Sequence, residues 1–333
     1  MLDRAQIVEM LHCRGAEQSR LFADARAGRE EFFGNRVVVR GVTEVANTCR
    51  VNCKFCPMRR ANTRENDRFI ATEDQLVDTA AILRRNDINV VFFQGGEIPQ
   101  TTDVVGRAIR RIKEMYDGDV EVLLNLGIKS RAELEYLKEQ GADSYIMKFE
   151  TGDPKLNREM REEGLEQRLE SIRSLKEVGF KVGVGGIVGL PGQSVESVAN
   201  DILLAVELDV DMCSFSPFVP ASGTPLADAE PGSVDLTLNA IAVCRVVEPR
   251  WLIPSVSALA KRSKESQKQG YLAGANVVTI NFTAPSESER YLIYGKDRFI
   301  VRGDYAFSMI KEAGLAPSKS VFVGSGSIPA LRP

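Results

Sequence analysis

The sequence holds one histidine and one tryptophan among 333 residues. The histidine, His12, lies in a stretch of helical spacing, so neither a histidine general base nor a histidine-rich metal site is expected. No run of about 18 apolar residues occurs, which argues against a membrane-spanning helix. The first twenty residues mix charges with apolar positions and lack the continuous apolar core of a secretory signal. There is no surplus of positive charge either: 43 Lys and Arg stand against 46 Asp and Glu, a formal net charge of −3. Neither nucleic acid nor membrane is therefore an expected partner. No Pro/Gly/Ser-rich linker divides the chain. Together these absences predict a cytoplasmic globular protein, in a compartment where thiols stay reduced.

What is present is alternation. Residues 1–33 read as helical, and Gly34-Asn35 ends the pattern. Strands are then predicted at 37–45, 89–93, 120–125, 144–148, 181–188, 211–216, more weakly at 251–256, and at 275–282. Helices are predicted between them, the first opened by the capping-box pattern Thr72-Glu73-Asp74-Gln75. The strands are apolar runs rather than strict alternations, as expected where both faces are buried. About eight strand–helix units predict an α/β protein with a (β/α)8 TIM-type barrel over residues 36–316. An N-terminal helical extension over 1–35 precedes it and a tail over 317–333 follows. A flat doubly wound sheet is the competing architecture; the count of eight favours the barrel.

Six cysteines are present, and three of them, Cys49, Cys53 and Cys56, fall within eight residues. Their spacing is C-x3-C-x2-C, directly after the first predicted strand. That position is the C-terminal end of the barrel, where such folds keep their sites. Structural zinc wants four ligands, commonly as two knuckles, and no second knuckle exists here. A [4Fe-4S] cluster usually takes four thiolates. Three local thiolates leave one iron open, and an open metal position is what a reactive site needs. Cys213 and Cys244 read as small buried residues on a strand and a helix. With Cys13 on the N-terminal helix, they are not expected to converge on a second cluster.

The cysteine motif, with Phe55 before its third cysteine, resembles that of the radical S-adenosylmethionine (SAM) superfamily. Three further segments strengthen the resemblance. Gln94-Gly95-Gly96-Glu97 follows the second strand and is similar to the family's GGE segment. Met147-Lys148-Phe149-Glu150 ends the fourth strand. Gly185-Gly186-Ile187-Val188-Gly189 is similar to the family's G-x-I-x-G segment, although Gly192 replaces the glutamate often found three residues beyond it. Val188-Gly189-Leu190-Pro191-Gly192-Gln193, Ser216-Pro217-Phe218-Val219-Pro220 and Ala273-Gly274-Ala275-Asn276 resemble the biotin synthase-like branch. Within that branch the likeness is to the group of [FeFe]-hydrogenase maturases and methylornithine synthases.

The resemblance implies that Cys49, Cys53 and Cys56 hold a [4Fe-4S] cluster whose open iron chelates SAM. It implies cofactor contacts from Gln94 and Asn125, and SAM contacts from Phe55 and Ile187 to the adenine, Gly95, Gly96 and Glu97 to the methionyl amine, and Glu150 to the ribose. Lys148 or Arg168 would meet the carboxylate. Reductive cleavage would give a 5′-deoxyadenosyl radical that abstracts hydrogen from a small-molecule substrate, with a donor such as flavodoxin or ferredoxin supplying the electron. Gln94, Asn125, Ser214, Ser216, Ser255, Ser257 and Asn281 are expected to line the substrate pocket. Gln94, Asn125 and Gly185 stand where biotin synthase carries strand-borne cysteines, and Ala260 stands where it carries an arginine. Sulfur insertion from a second cluster is therefore not expected. A biosynthetic carbon–carbon bond formation or rearrangement on a sugar, nucleoside or amino acid is the leading expectation. Assembly of a diiron hydrogenase cofactor is the alternative, and a non-catalytic iron–sulfur electron carrier is a third.

Overall fold

The computed structural model describes residues 2–63 and 67–318. Eight parallel strands form one sheet: β1 Arg36–Ala46, β2 Val90–Gly95, β3 Glu121–Asn125, β4 Ser144–Ile146, β5 Lys181–Val188, β6 Met212–Pro217, β7 Val277–Asn281 and β8 Ala316–Ser318. The order is β6-β5-β4-β3-β2-β1-β7, with β8 attached to the start of β1 through Arg36↔Ala316. The segment after β6 closes the ring. Cys213 N–H donates to Leu252 O at 3.2 Å, and on the other side Asn276 N–H donates to Ile253 O at 2.9 Å. The strand expected at 251–256 is thus reduced to two isolated bridges, at Leu252 and Pro254. Pro254 explains this, because it has no N–H to continue a ladder.

The apolar strands are buried on both faces, and alternate residues serve two cores. Val37, Val39, Val91, Phe93, Val122 and Leu124 face the helical shell. Val38, Val90, Phe92, Leu123, Met212, Leu252 and Val277 point inward and plug the barrel interior. Each such side chain contributes about 1.5–3 kcal/mol by leaving water. The helices fall close to their expected places. Glu73–Arg85 is capped as its sequence requires: Thr72 Oγ1 accepts from Gln75 N–H, and Gln75 Oε1 accepts from Thr72 N–H at 2.8 Å.

Three local readings are corrected. Residues 1–33 form two helices, Arg4–His12 and Gly15–Phe33, because the chain turns at Cys13-Arg14 and Gly15 takes a φ of +56°. A helix at Pro154–Met160 was missed, although Asp153-Pro154 is an N-cap followed by proline at N1. β8 was missed because three residues, one of them Pro317, carry no periodic signal. Most of the tail expected at 317–333 lies outside the described residues. Among those described, no helix is long and apolar enough to cross a membrane. His12 is exposed at the end of its helix, away from the barrel interior.

Candidate active site

One cavity of about 330 Å³ is lined by the C-terminal ends of the strands and the loops above them. Every residue expected to contact the cluster, SAM or substrate borders it: the three cysteines, Phe55, Gln94 to Glu97, Asn125, Lys148, Glu150, Arg168, Ile187, and Ser214, Ser216, Ser255, Ser257 and Asn281. These come from seven strands and the segments that follow them, so only the barrel brings them together.

The cysteine loop is pinned on two sides. Arg50 N–H donates to Glu97 O at 2.9 Å, and Lys54 N–H donates to Met160 O at 2.8 Å. Asn52 Oδ1 closes the loop by accepting from Arg59 Nε at 2.6 Å and Ala61 N–H at 3.2 Å. Gly96 is a packing requirement, since a Cβ there would stand 1.8 Å from Thr48 O. The second glycine of the GGE segment thus lets β2 approach the backbone that carries Cys49.

Burial pushes all three thiols up, Cys53 to about 11. Arg161 and Arg168 act against that shift at Cys53. Thiols in this setting stay protonated until a metal claims them. Among the described residues, no three His, Cys, Asp or Glu side chains are gathered closely enough to hold a single metal ion. Thiolates that each bind a different iron of a cluster stand farther apart than ligands of one ion. Three thiols on one cavity, beside two guanidinium groups, therefore fit a cluster better than a lone zinc.

The walls carry buried charge. Glu97, 4% exposed, pairs with Arg50 and, at 3.3 Å, with Arg168 Nη2. Arg168 also places Nη1 2.6 Å from Met147 Sδ, while its Nε has no partner. Lys148 Nζ lies 3.3 Å from Glu150 Oε2 and 3.3 Å from Ser216 Oγ. Lys148 and Glu150 thus form an ion pair inside the cavity. Glu150 holds a φ of +69°, a region non-glycine residues avoid. It is locked there by Glu150 N–H to Gly185 O at 3.1 Å and Ile187 N–H to Glu150 O at 2.8 Å. Such strain persists only where the surroundings over-determine it. Phe55 and Ile187 meet in one apolar cluster with Leu156, Met160, Leu190 and Phe218. A flat apolar wall of this kind suits a purine ring.

Several residues escaped the sequence reading. Arg161 is 5% exposed, borders the cavity, faces Cys53, and keeps an unpartnered Nε although Glu163 stands 3.2 Å from its Nη2. It follows the unrecognised helix Pro154–Met160, whose Asp-Pro start was the available signal. Tyr291, Tyr294 and Arg298 reach the cavity from a segment without regular structure. Tyr291 Oη accepts from Gln94 Nε2 at 3.1 Å. Arg298 grips the buried Glu44 at 2.5 and 2.8 Å, and Asn281 donates to the same carboxylate at 2.8 Å. Asn281 lines the cavity as expected, but its amide is committed to Glu44.

The sequence profile of the radical SAM superfamily matches residues 43–205. The chain is 34% identical over 276 residues to the [FeFe] hydrogenase maturase subunit HydE of Thermotoga maritima, covering 82% of this chain and 78% of that one. It is 26% identical over 283 residues to the 3-methylornithine synthase of Methanosarcina acetivorans, covering 84% and 79%. A crystal structure of methylornithine synthase superimposes with a TM-score of 0.84 at 25% identity, over 96% of this chain and 94% of that one.

Proposed function

The chain belongs to the radical SAM superfamily, and from that premise we propose that Cys49, Cys53 and Cys56 are the three thiolate ligands of its cluster. It is an enzyme whose cofactors are a [4Fe-4S] cluster and SAM, and it needs a substrate and a reductant. When bound, these cofactors supply an electron and a 5′-deoxyadenosyl radical. The chain's own residues bind and orient. Phe55 and Ile187 wall the adenine, and Glu150 accepts from the ribose. Arg161 or Arg168 takes the carboxylate, Lys148 being a third cation within the same cavity. The backbone of Gly95 to Glu97 faces the amine. With the cofactors bound, the remaining cavity would hold a small-molecule substrate for hydrogen abstraction, in a biosynthetic carbon–carbon bond formation or rearrangement.

The observation that carries this reading is convergence: a C-x3-C-x2-C loop, two buried arginines and the glutamate at the end of β4 border one cavity. The test is anaerobic reconstitution followed by reduction. Wild-type protein should release 5′-deoxyadenosine from SAM, and protein without iron should not. Release that does not depend on iron would overturn the assignment.

A second reading, assembly of a diiron hydrogenase cofactor, draws on the 34% identity to a maturase subunit. Restored hydrogenase activity in a maturase-deficient host would favour it. Family membership sets aside the non-catalytic electron carrier.

A further inference from the structure

Buried arginines in this protein are normally satisfied by oxygen. Arg245, fully buried, donates to Gly274 O at 3.0 Å, Pro249 O at 2.6 Å, Trp251 O at 2.8 Å and Asn276 Oδ1 at 2.9 Å. Arg40 is the exception. It is 2% exposed and projects from β1 into the same cavity that the cysteines border. Among the described residues its one hydrogen-bond partner is a thioether, Met212 Sδ, 3.2 Å from Nη2. Its Nε has none. No carboxylate among the described residues pairs with it; Glu121 acts only from longer range, and burial holds the guanidinium down to about 10. Its neighbours on the same face of β1, Val38 and Val42, both belong to the apolar plug with Met212 and Leu252.

A charge in such a place is costly unless an anion meets it. We infer that Arg40 is the floor of the substrate site and receives a carboxylate of the substrate. This rests on the proposed placement of the cluster and SAM at the cysteine loop. Arg40 lies six residues before the end of β1, so the loop is about 20 Å above it at strand rise. SAM occupies the upper part. The substrate then extends below it, acid end down and reacting C–H up. The planar fork of Arg40 matches a carboxylate bidentately. A phosphate dianion would want a second cation, and the neighbouring cavity residues are Phe92, Ile146, Gly183, Met212 and Thr279. Gly183 adds no side chain to this part of the cavity, and a Cβ there would crowd Ile146 at 3.0 Å and Met212 at 3.1 Å.

The test uses reconstituted, SAM-loaded enzyme titrated calorimetrically with straight-chain monocarboxylates of four to eight carbons and with the matching primary amides. Wild type should bind the best carboxylate at least tenfold more tightly than its amide. Arg40→Met should remove that preference, and Arg40→Lys should keep part of it. Absence of carboxylate binding, parity between acid and amide in wild type, or a preference that survives Arg40→Met would overturn the inference. Should Arg40→Met fail to fold, the acid-against-amide comparison in wild type decides alone. SAM affinity is read in the same samples. Its loss in wild type would fault the cofactor placement, whereas normal SAM binding without acid preference faults only the role of Arg40.

Discussion

Five of the six cysteines fall into two kinds of surroundings. Cys49, Cys53 and Cys56 sit on a polar loop at the end of β1, border a cavity, and have Arg161 and Arg168 near Cys53. Cys213 and Cys244 are 0% and 1% exposed, packed between β6 and the helix Val234–Val247, with sulfurs 4.0 Å apart. Cys53, Cys213 and Cys244 are buried and Cys49 and Cys56 half-buried, and burial raises the proton affinity of Cys49, Cys53, Cys56 and Cys244 alike. What separates them is the company. The first set has backbone glycines that bring a neighbouring strand close, cations, and space. The second is packed into the main apolar core. Reactivity in this chain is a property of surroundings as much as of sulfur.

The sharpest way to break that comparison is to exchange the roles. Cys49→Ala, Cys53→Ala or Cys56→Ala should each abolish SAM cleavage, because each removes one of only three thiolates. The measurement is 5′-deoxyadenosine release after anaerobic reconstitution. A single variant that retains the wild-type rate would return these cysteines to the ordinary buried class. Gly96→Ala comes next. The added Cβ meets backbone at 1.8 Å, and backbone cannot swing aside as a side chain can. A cost of about 1–3 kcal/mol or more is expected from such overpacking, read as a lower Tm together with reduced iron incorporation. Gly303→Ala, whose Cβ would meet nothing nearer than 3.8 Å, should leave both unchanged.

The barrel was legible in the sequence because burial on both faces leaves continuous apolar strands, and eight of them with intervening helices admit few arrangements. The three cysteines, the glycine pair and Lys148 with Glu150 were legible because each follows directly on a strand. What escaped was everything that depends on distance in space. Nothing in the sequence pairs Arg168 with Glu97, or Arg298 with Glu44 across 254 residues. Arg161 escaped with its short helix. Arg40 escaped because a lone arginine in an apolar strand reads as a blemish in a pattern. Only closure of the barrel shows that it points inward without a counter-ion.

A smaller effect tests the cations beside the reactive set. Arg161→Met or Arg168→Met, whichever removes the partner of the carboxylate, should weaken SAM binding about ten- to a hundredfold, the worth of a charge-assisted hydrogen bond of roughly 1.5–3 kcal/mol. Iron content should stay at the wild-type level. Spectroscopic titration of the reconstituted variants with SAM checks this. Unchanged affinity in both would make the two arginines structural partners of Glu97 and Glu163. Loss of iron would instead place them in support of the loop.

The smallest effect belongs to the second set. Cys213 and Cys244 face each other across a strand–helix contact, and Cys13 lies apart on the N-terminal helix, its sulfur 3.7 Å from Glu9 O. Two sulfurs at 4.0 Å could be taken for half of a second metal site. Two observations oppose that. Cys244 is pushed well up, first by burial and then by Cys213, so its thiol favours the protonated form. Among the described residues, no third His, Cys, Asp or Glu side chain completes a metal-binding group. The pair therefore acts as two small apolar groups. Truncating either to alanine removes one buried heavy atom, which costs about 1–2 kcal/mol. Because the sulfurs touch, the double change should cost less or more than the sum. The triple variant Cys13→Ala, Cys213→Ala, Cys244→Ala should melt at a lower temperature yet keep SAM cleavage and about four irons per chain, as a lone [4Fe-4S] centre requires. Iron near six or eight per chain in wild type, falling to four in that variant with loss of product, would mean that surroundings had been misjudged and that the buried pair also serves a cluster.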